Sequence, residues 1–146
     1  MTKSFKRLVR DAIIADLESA IRNQIGNIPI VNAFDGEELR DLHIRVAVPS
    51  AVPQIHGGRN SGIWDATVVI TVASSIDKTN IDIHDDLAGM VEAYAAQASA
   101  TLKTALTSSE LTVGNAYTGE AREMAIGKMR MNAQEIQLAD CTADLT

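Results

Sequence analysis

The sequence predicts an α+β fold in which one antiparallel or mixed β-sheet packs against two helices, in the order α-β-β-α-β-β. Two segments, 4–25 and 83–106, repeat apolar residues at the three- and four-residue spacing of an amphipathic helix. Other segments alternate apolar and polar residues, which is the period of a half-buried strand. The chain has 146 residues, of which 46% are hydrophobic and 22% charged. We therefore predict a single domain over 1–146, with a loose tail over about 139–146.

The opening helix is predicted over residues 4–25. Thr2 or Ser4 can cap its start, and Gly26 fits its C-terminal end. Its beginning carries the basic cluster of the chain, which consists of Lys3, Lys6, Arg7 and Arg10.

Two strands follow, over 42–48 and 63–72. Pro49 and Pro53 are predicted to end the first strand, because proline cannot donate to a central ladder. The second strand is apolar enough to lie centrally in the sheet. The connection is rich in glycine, and this predicts an antiparallel pair joined by a long, flexible hairpin loop.

The second half of the chain predicts one helix and two strands. Asp82 is a natural N-cap for the helix over 83–106, and acidic residues suit its first turn. Strands are predicted near 111–117 and 124–138. The alternation shifts its phase in the last strand, which predicts a β-bulge near Gln134.

Charge and cysteine content exclude several classes of function. The net charge is −6, from 19 acidic and 13 basic residues, whereas affinity for the DNA backbone requires a basic surface. Cys141 is the single cysteine and forms no intrachain disulfide. The sequence has no apolar run of about 18 residues or more and no signal-peptide pattern, so we expect neither a transmembrane helix nor a secretory leader.

The candidate chemical motifs are weak, and we predict no catalytic residue, no metal ligand and no cofactor. Asp82, His84, Asp85 and Asp86 form the sharpest metal-like cluster, but neighbouring residues on a helix point in different directions. The glycine-rich segment 57–62 lacks the Gly-Lys-Ser/Thr ending of a phosphate-binding loop. The sequence contains no Gly-x-Ser-x-Gly motif.

Interface residues are predicted on the connecting loop, on the exposed side of a strand, and at two adaptable methionines. They are Gln54, Ile55, His56, Gly57, Gly58, Arg59, Asn60, Ser61, Arg45, His43, Met129 and Met131.

The pattern as a whole resembles the tail-terminator proteins of long-tailed bacteriophages. The similar features are the opening helix with a basic start, the proline-flanked strand 42–48, and the Trp-bearing strand 63–72. The Asp-Ile-His-Asp-Asp-Leu segment that opens the second helix and a final strand from Lys128 to Leu138 complete the resemblance.

This resemblance implies a structural virion protein that forms a ring, usually a hexamer, at the end of the tail tube. Its partners would be further copies of the chain, the tail tube protein and the neck or connector proteins. Genomic DNA would pass through the lumen without specific binding, and no membrane is involved. Three alternatives stay open: another neck, stopper or tail-completion subunit, a small metal-dependent hydrolase using His84, and an unrelated binding module.

Overall fold

A computed structural model describes residues 4–25, 28–32, 42–97 and 99–144, and within them three helices and six strands form an α+β fold. The predicted class is confirmed. The predicted order and the count of two helices are not matched, because the structure adds a third helix and two short strands. The elements are α1 (Phe5–Ile25), β1 (Ile30–Asn32), β2 (His43–His56), β3 (Arg59–Ser75), α2 (Ile81–Ala95), α3 (Ser99–Leu106), β4 (Leu111–Thr112), β5 (Asn115–Ile126) and β6 (Met129–Ala143).

The strands form one curled mixed sheet in the order β1-β2-β3-β6, with β4 and β5 pairing successive parts of β6. β1 runs parallel to β2, and the other pairs are antiparallel. The predicted antiparallel pairing of the first two long strands is confirmed, with Ile44 opposite Val72 and Val46 opposite Ile70.

The core lies between one face of this sheet and the three helices. α1 packs over β2, α2 over β3 and β6, and α3 over β4 and β5. Alternate residues of the strands point into this core, as the pleat of a strand requires. The fully buried side chains include Val9, Ile13, Leu17, Ile44, Val46, Ile70, Leu87, Leu102, Ile136 and Leu138.

The predicted first helix is confirmed, with α1 starting at Phe5. Ser4 Oγ accepts a hydrogen bond from the Arg7 N–H at 3.2 Å, which caps a free donor of the first turn. The Phe5 ring stacks on Trp64 of β3, with 5.0 Å between ring centroids. Thr2, Lys3 and Gly26 lie outside the described residues.

The predicted second helix is two helices. Asn80, rather than Asp82, caps α2, and its side-chain oxygen accepts from the Asp82 N–H at 2.7 Å. α2 ends where the Gln97 N–H bonds the Tyr94 carbonyl, three residues back, which tightens its last turn. α3 begins at Ser99 and turns onto β5, burying Leu102 and Leu106. None of the described helices is both long and apolar enough to cross a membrane.

β2 is much longer than predicted, and the prediction of a long, flexible hairpin loop between the two strands is wrong. β2 continues through Pro49 and Pro53 because β1 covers it only from Ile44 to Val46. Beyond that point no described residue pairs with this side of β2, so a proline there removes no described ladder bond. Gly57 and Gly58, with φ of 58° and 77°, then form a two-residue turn that brings His56 opposite Arg59.

The bulge predicted near Gln134 does not lie in the last strand itself; the extra residue is on β5, between Thr118 and Ala121, which pair with Ile136 and Gln134. β6 pairs with β3 in unbroken register from Met129 to Leu138. The apparent change of phase arises because Gln134 is buried on the helix side, whereas Met129 and Met131 point to the opposite face. The irregularities lie in β5 between Thr118 and Ala121, and in β6 where Trp64 and Ala66 pair with Cys141 and Leu138.

The end of the chain is not the loose tail predicted over about 139–146. β6 continues to Ala143, and Cys141 is fully buried beneath the sheet end. β4 pairs with this last part of β6, so Leu111 lies opposite Ala143. Residues 145 and 146 lie outside the described residues.

Candidate functional site

The long hairpin of β2 and β3 projects past the rest of the sheet. Among the described residues, β6 pairs with β3 only from Trp64 onward, and the preceding residues of β3 pair with β2 alone. We call residues 52–63 the hairpin tip. Its surface carries two exposed apolar side chains, Val52 at 57% and Ile55 at 59% exposure. His56 and Arg59 at the turn are exposed as well.

The tip is braced internally. Ser61, Gly62 and Ile63 bulge opposite the single residue Gln54. Ser61 Oγ donates to the Gln54 carbonyl at 3.0 Å and accepts from the Ile63 N–H at 3.2 Å. The predicted interface segment from Gln54 to Ser61 is therefore the paired end of a β-hairpin, in place of the flexible loop.

A carboxylate clamp fixes the base of the tip to the end of β6. Gln54 Nε2 donates to Asp65 Oδ1 at 3.1 Å and to Asp140 Oδ1 at 2.7 Å. The Asp140 N–H also donates to Asp65 Oδ1, at 3.1 Å. Asp140 has a φ of 55°, a left-handed conformation that aspartate tolerates better than most residues. The clamp thus holds three chain segments in one orientation and sets the direction of the tip.

Cys141 lies directly beneath this clamp. Burial raises the pKa of its thiol to about 11, and the negative charges of Asp65 and Asp140 act in the same direction. A hydrogen bond with the Gly114 backbone offsets part of that pKa shift. The thiol is thus kept protonated, which suits a small buried packing group.

The sheet face opposite the helices, here called the back face, carries the remaining predicted interface residues. Pairing aligns side chains across it in rows, and the first row contains His43, Ala73, Met131 and Met124. Met129, Met131 and Arg45 are half-buried. His43, predicted to be exposed, is only 1% exposed, and its Nε2 accepts from Arg45 Nε at 2.8 Å.

The hairpin of β5 and β6 forms a second exposed arm. β5 pairs with β6 along one side, and its residues from Tyr117 to Ile126 are exposed except Gly119. Charged side chains alternate along this edge strand, with Arg122 Nη2 3.7 Å from Glu120 Oε2. Such charges discourage uncontrolled strand pairing at a sheet edge.

The metal-like group of residues in the sequence at the start of the second helix is divided between the core and the surface. His84 is fully buried, whereas Asp82, Asp85 and Asp86 are exposed. Within the described ranges, no group of three or more His, Cys, Asp or Glu side chains is placed to hold a metal ion.

Both ring nitrogens of His84 are engaged. Nδ1 lies 2.7 Å from Ser74 Oγ, and Nε2 lies 2.7 Å from Asn132 Oδ1. Asn132 Nδ2 donates to Glu123 Oε1 at 3.1 Å, which orients the amide so that its oxygen faces the histidine. Nε2 therefore carries the proton, and Nδ1 accepts from the serine hydroxyl. Ser74 is itself fully buried, so this serine–histidine pair cannot meet a substrate.

A shallow depression that sequence reasoning missed lies at the far end of β3. Ile76 and Ile81 line it, together with Asp82 and Arg130, and its volume is about 690 Å³. The two isoleucines are 46% and 55% exposed. Arg130 Nη2 donates to the carbonyls of Ile76 and Thr79, at 3.2 and 3.4 Å, and so fixes the connecting turn. Two isoleucines flanking a polar run are the available sequence signal.

The chain matches no protein-family model and no curated protein.

Proposed function

We propose that this chain is a structural virion subunit, a tail terminator of a long-tailed bacteriophage that forms an oligomeric ring, a hexamer in the family it resembles. The ring would cap the tail tube and join it to the neck or connector. The observation that carries this proposal is the hairpin tip, which projects beyond β6 with Val52 and Ile55 exposed. Within the described residues, Val52 and Ile55 are not part of the core of the single copy.

The design of the tip supports a binding role. The Gln54 hydrogen bonds to Asp65 and Asp140 hold its base, and Ser61 braces the bulge. A rigid arm loses little conformational freedom when it binds, so more of its contact energy appears as affinity. A second arm, the β5–β6 hairpin, exposes Met124 and Ile126. Apolar side chains on two projecting arms suit a subunit that contacts several neighbours.

The charge of the chain fits a channel for DNA. The net charge is −6. A negatively charged surface repels phosphates, so DNA would pass without adhering. The proposed partners are further copies of the chain, the tail tube protein and the neck proteins, and the proposed location is the virion.

A purely structural role is favoured over the hydrolase alternative. The hydrolase would require His84 to reach a metal or a substrate, and its two nitrogens are occupied within the core. Another neck, stopper or tail-completion subunit is the second candidate, because projecting arms serve there equally well. Labelling of the chain in intact particles separates these two, since a terminator marks the junction of tube and neck.

Light scattering coupled to size exclusion tests the ring. We expect a discrete closed oligomer, with a mass of six times the 15.6 kDa of one chain for a hexamer. Negative-stain electron microscopy of the same fraction should show annular particles. A strict monomer at every concentration would overturn the proposed ring.

A further inference from the structure

We infer that the hairpin tip of one copy seats in the depression lined by Ile76 and Ile81 on the next copy. The partner is thus a second copy of this chain, held head to tail. This inference rests on the proposed ring and names the surfaces that build it.

The two surfaces lie at opposite ends of one strand. β3 begins at Arg59 within the tip, and Ile76 directly follows its last residue, Ser75. A strand of 17 residues is roughly 55 Å long at a rise of about 3.3 Å per residue. A chain cannot fold its own tip back over that distance, because the strand is hydrogen-bonded along the sheet. The tip can therefore meet such a depression only on another copy.

Both surfaces carry exposed branched aliphatic side chains. The tip offers Ile55 on one face and Val52 on the other, because they are three residues apart on one strand, and the depression offers Ile76 and Ile81. All four are between 46% and 59% exposed. The tip is narrow, since it is two strands wide, and the depression is shallow and open. Burying branched aliphatic side chains against each other removes apolar surface from water on both copies.

The charges around the two surfaces are complementary. The tip contains Arg59 and no acidic residue. Asp82 lines the depression, and Asp85 and Asp86 are exposed farther along the same helix. Lys128 Nζ is 3.2 Å from Asp77, so these two charges offset each other. Arg130 lines the depression beside Asp82 and keeps its positive charge, and Lys78 is exposed on the same turn. The three aspartates against these two basic residues leave a surplus of one negative charge around the depression.

Contacts of this kind generate closed rings. Each copy carries one tip and one depression, so every tip in an assembly can be filled only if the series of copies closes or continues without end. Closure after a fixed number of copies gives the finite ring that the proposed function requires.

A mixing experiment with two double variants tests the contact. The tip variant is Val52→Ser with Ile55→Ser, and the depression variant is Ile76→Ser with Ile81→Ser. We expect each alone to be monomeric by light scattering. An equimolar mixture should give a dimer of twice the monomer mass, because it contains a single competent pair of surfaces. Ile83→Ser is the matched control, since Ile83 is 55% exposed on the same helix but does not line the depression.

The outcomes separate this inference from the proposed function. If the wild-type chain forms the oligomer and both variants form it equally well, the contact is wrong and the ring stands. If the wild-type chain never associates, the ring and the contact are both overturned. Monomeric variants that do not pair with each other would also overturn the head-to-tail contact.

Cross-linking provides a second measurement should a variant fail to fold. Ile55→Cys and Ile81→Cys combined in one chain should be joined between copies by a short bis-maleimide, giving a ladder of covalent multimers. Cys141 does not interfere, because its thiol is buried. An assembled oligomer that yields no such ladder contradicts the contact.

Discussion

His84 shows that the neighbours of a residue in sequence do not define its role. Three aspartates lie near it along the chain, in a pattern that could resemble a metal site, although the sequence predicts no metal ligand. In the helix, however, the histidine points inward and the aspartates point to solvent. The partners that decide its role are Ser74 on β3 and Asn132 on β6, and nothing in the sequence marks either as its neighbour.

Ser74→Ala should lower the free energy of unfolding by about 1–3 kcal/mol, because it leaves a buried imidazole nitrogen without a hydrogen-bond partner. Urea unfolding monitored by circular dichroism measures this change. His56→Ala is the matched control, since that histidine is exposed on the hairpin tip, and its effect should stay within about 0.5 kcal/mol. If Ser74→Ala left the free energy of unfolding unchanged, the hydrogen bonds of His84 would not stabilise the core.

Two buried side chains that lose a proton at alkaline pH, Cys141 and Tyr94, make the free energy of unfolding depend on pH in that range. Burial raises the pKa of Cys141 from its ordinary 9.0 to about 11. Burial and the hydrogen bond to Asp16 also raise the pKa of Tyr94. The unfolded chain loses these protons at a lower pH than the folded chain does. Alkaline pH therefore favours unfolding, whereas below about pH 9 the contribution of Cys141 is fully present.

The free energy of unfolding should thus fall as the pH rises from about 9 to about 11. Urea titrations at a series of pH values measure the slope, and Cys141→Ala should make it shallower. The folded protein should also react slowly with a thiol reagent at pH 8 and quickly in urea. Rapid reaction of the folded chain would mean that the thiol is accessible.

Among the helices and strands, the sequence correctly predicts the segments whose apolar periodicity is strong. It fails for the segments whose bounds depend on pairing with distant parts of the chain. α1 and the core segments of β2 and β3 follow from apolar spacing alone. The extension of β2 past Pro49 could not be predicted, because it depends on how far β1 reaches along the sheet. The break between α2 and α3 likewise lets α3 contact β5, and the helix propensity of the local sequence does not predict that contact.

Substitution by alanine should have opposite effects on stability at two of the glycines. Gly89 lies within α2 with open space around it, so Gly89→Ala should stabilise the protein by up to about 1 kcal/mol. Gly58 is equally open but has a φ of 77°, and Gly58→Ala should destabilise the hairpin by about 1–2 kcal/mol.

Thermal melts measure the first change, and amide hydrogen exchange within the hairpin measures the second. Equal effects at the two positions would contradict the turn geometry.

The last part of β6 should prove necessary for folding. Deleting residues 140–146 removes buried Cys141 and the pairing partner of β4. We expect a loss of several kcal/mol, or no cooperative melting at all, because a buried group and a ladder disappear together. Thr142→Ala, an exposed change in the same segment, should have little effect. A truncated chain that melts like the full chain would restore the prediction of a loose tail.

For the whole molecule, folding and assembly should depend on different residues. The tip residues Val52 and Ile55 are mostly exposed, so changing both to serine should alter the free energy of unfolding by less than about 0.5 kcal/mol. The same variant should lose assembly. Urea unfolding and light scattering on one preparation measure both quantities. A large loss of stability would mean that the tip packs into the body of the fold.

Only one of the two surfaces of the candidate site could be predicted from the sequence. Glycine and proline content marked the segment around Gly57 as a projection, and its residues do form one surface. The depression was not predicted, because Ile76 lies on a turn and Ile81 is the first residue of α2, and the sequence does not show that the turn brings them together. His43 was misplaced because alternation gives the face of a strand but not how deeply that face is covered.

The placement of β3 has a mechanical consequence. In the proposed ring, tension between neighbouring copies runs along this strand, from the tip at one end to the depression at the other. β3 is paired with β2 on one side and with β6 on the other. Antiparallel ladder bonds lie perpendicular to the strands, so axial pulling shears many of them together instead of opening them one by one. A ring linked in this way would resist stretching when a load pulls neighbouring copies apart.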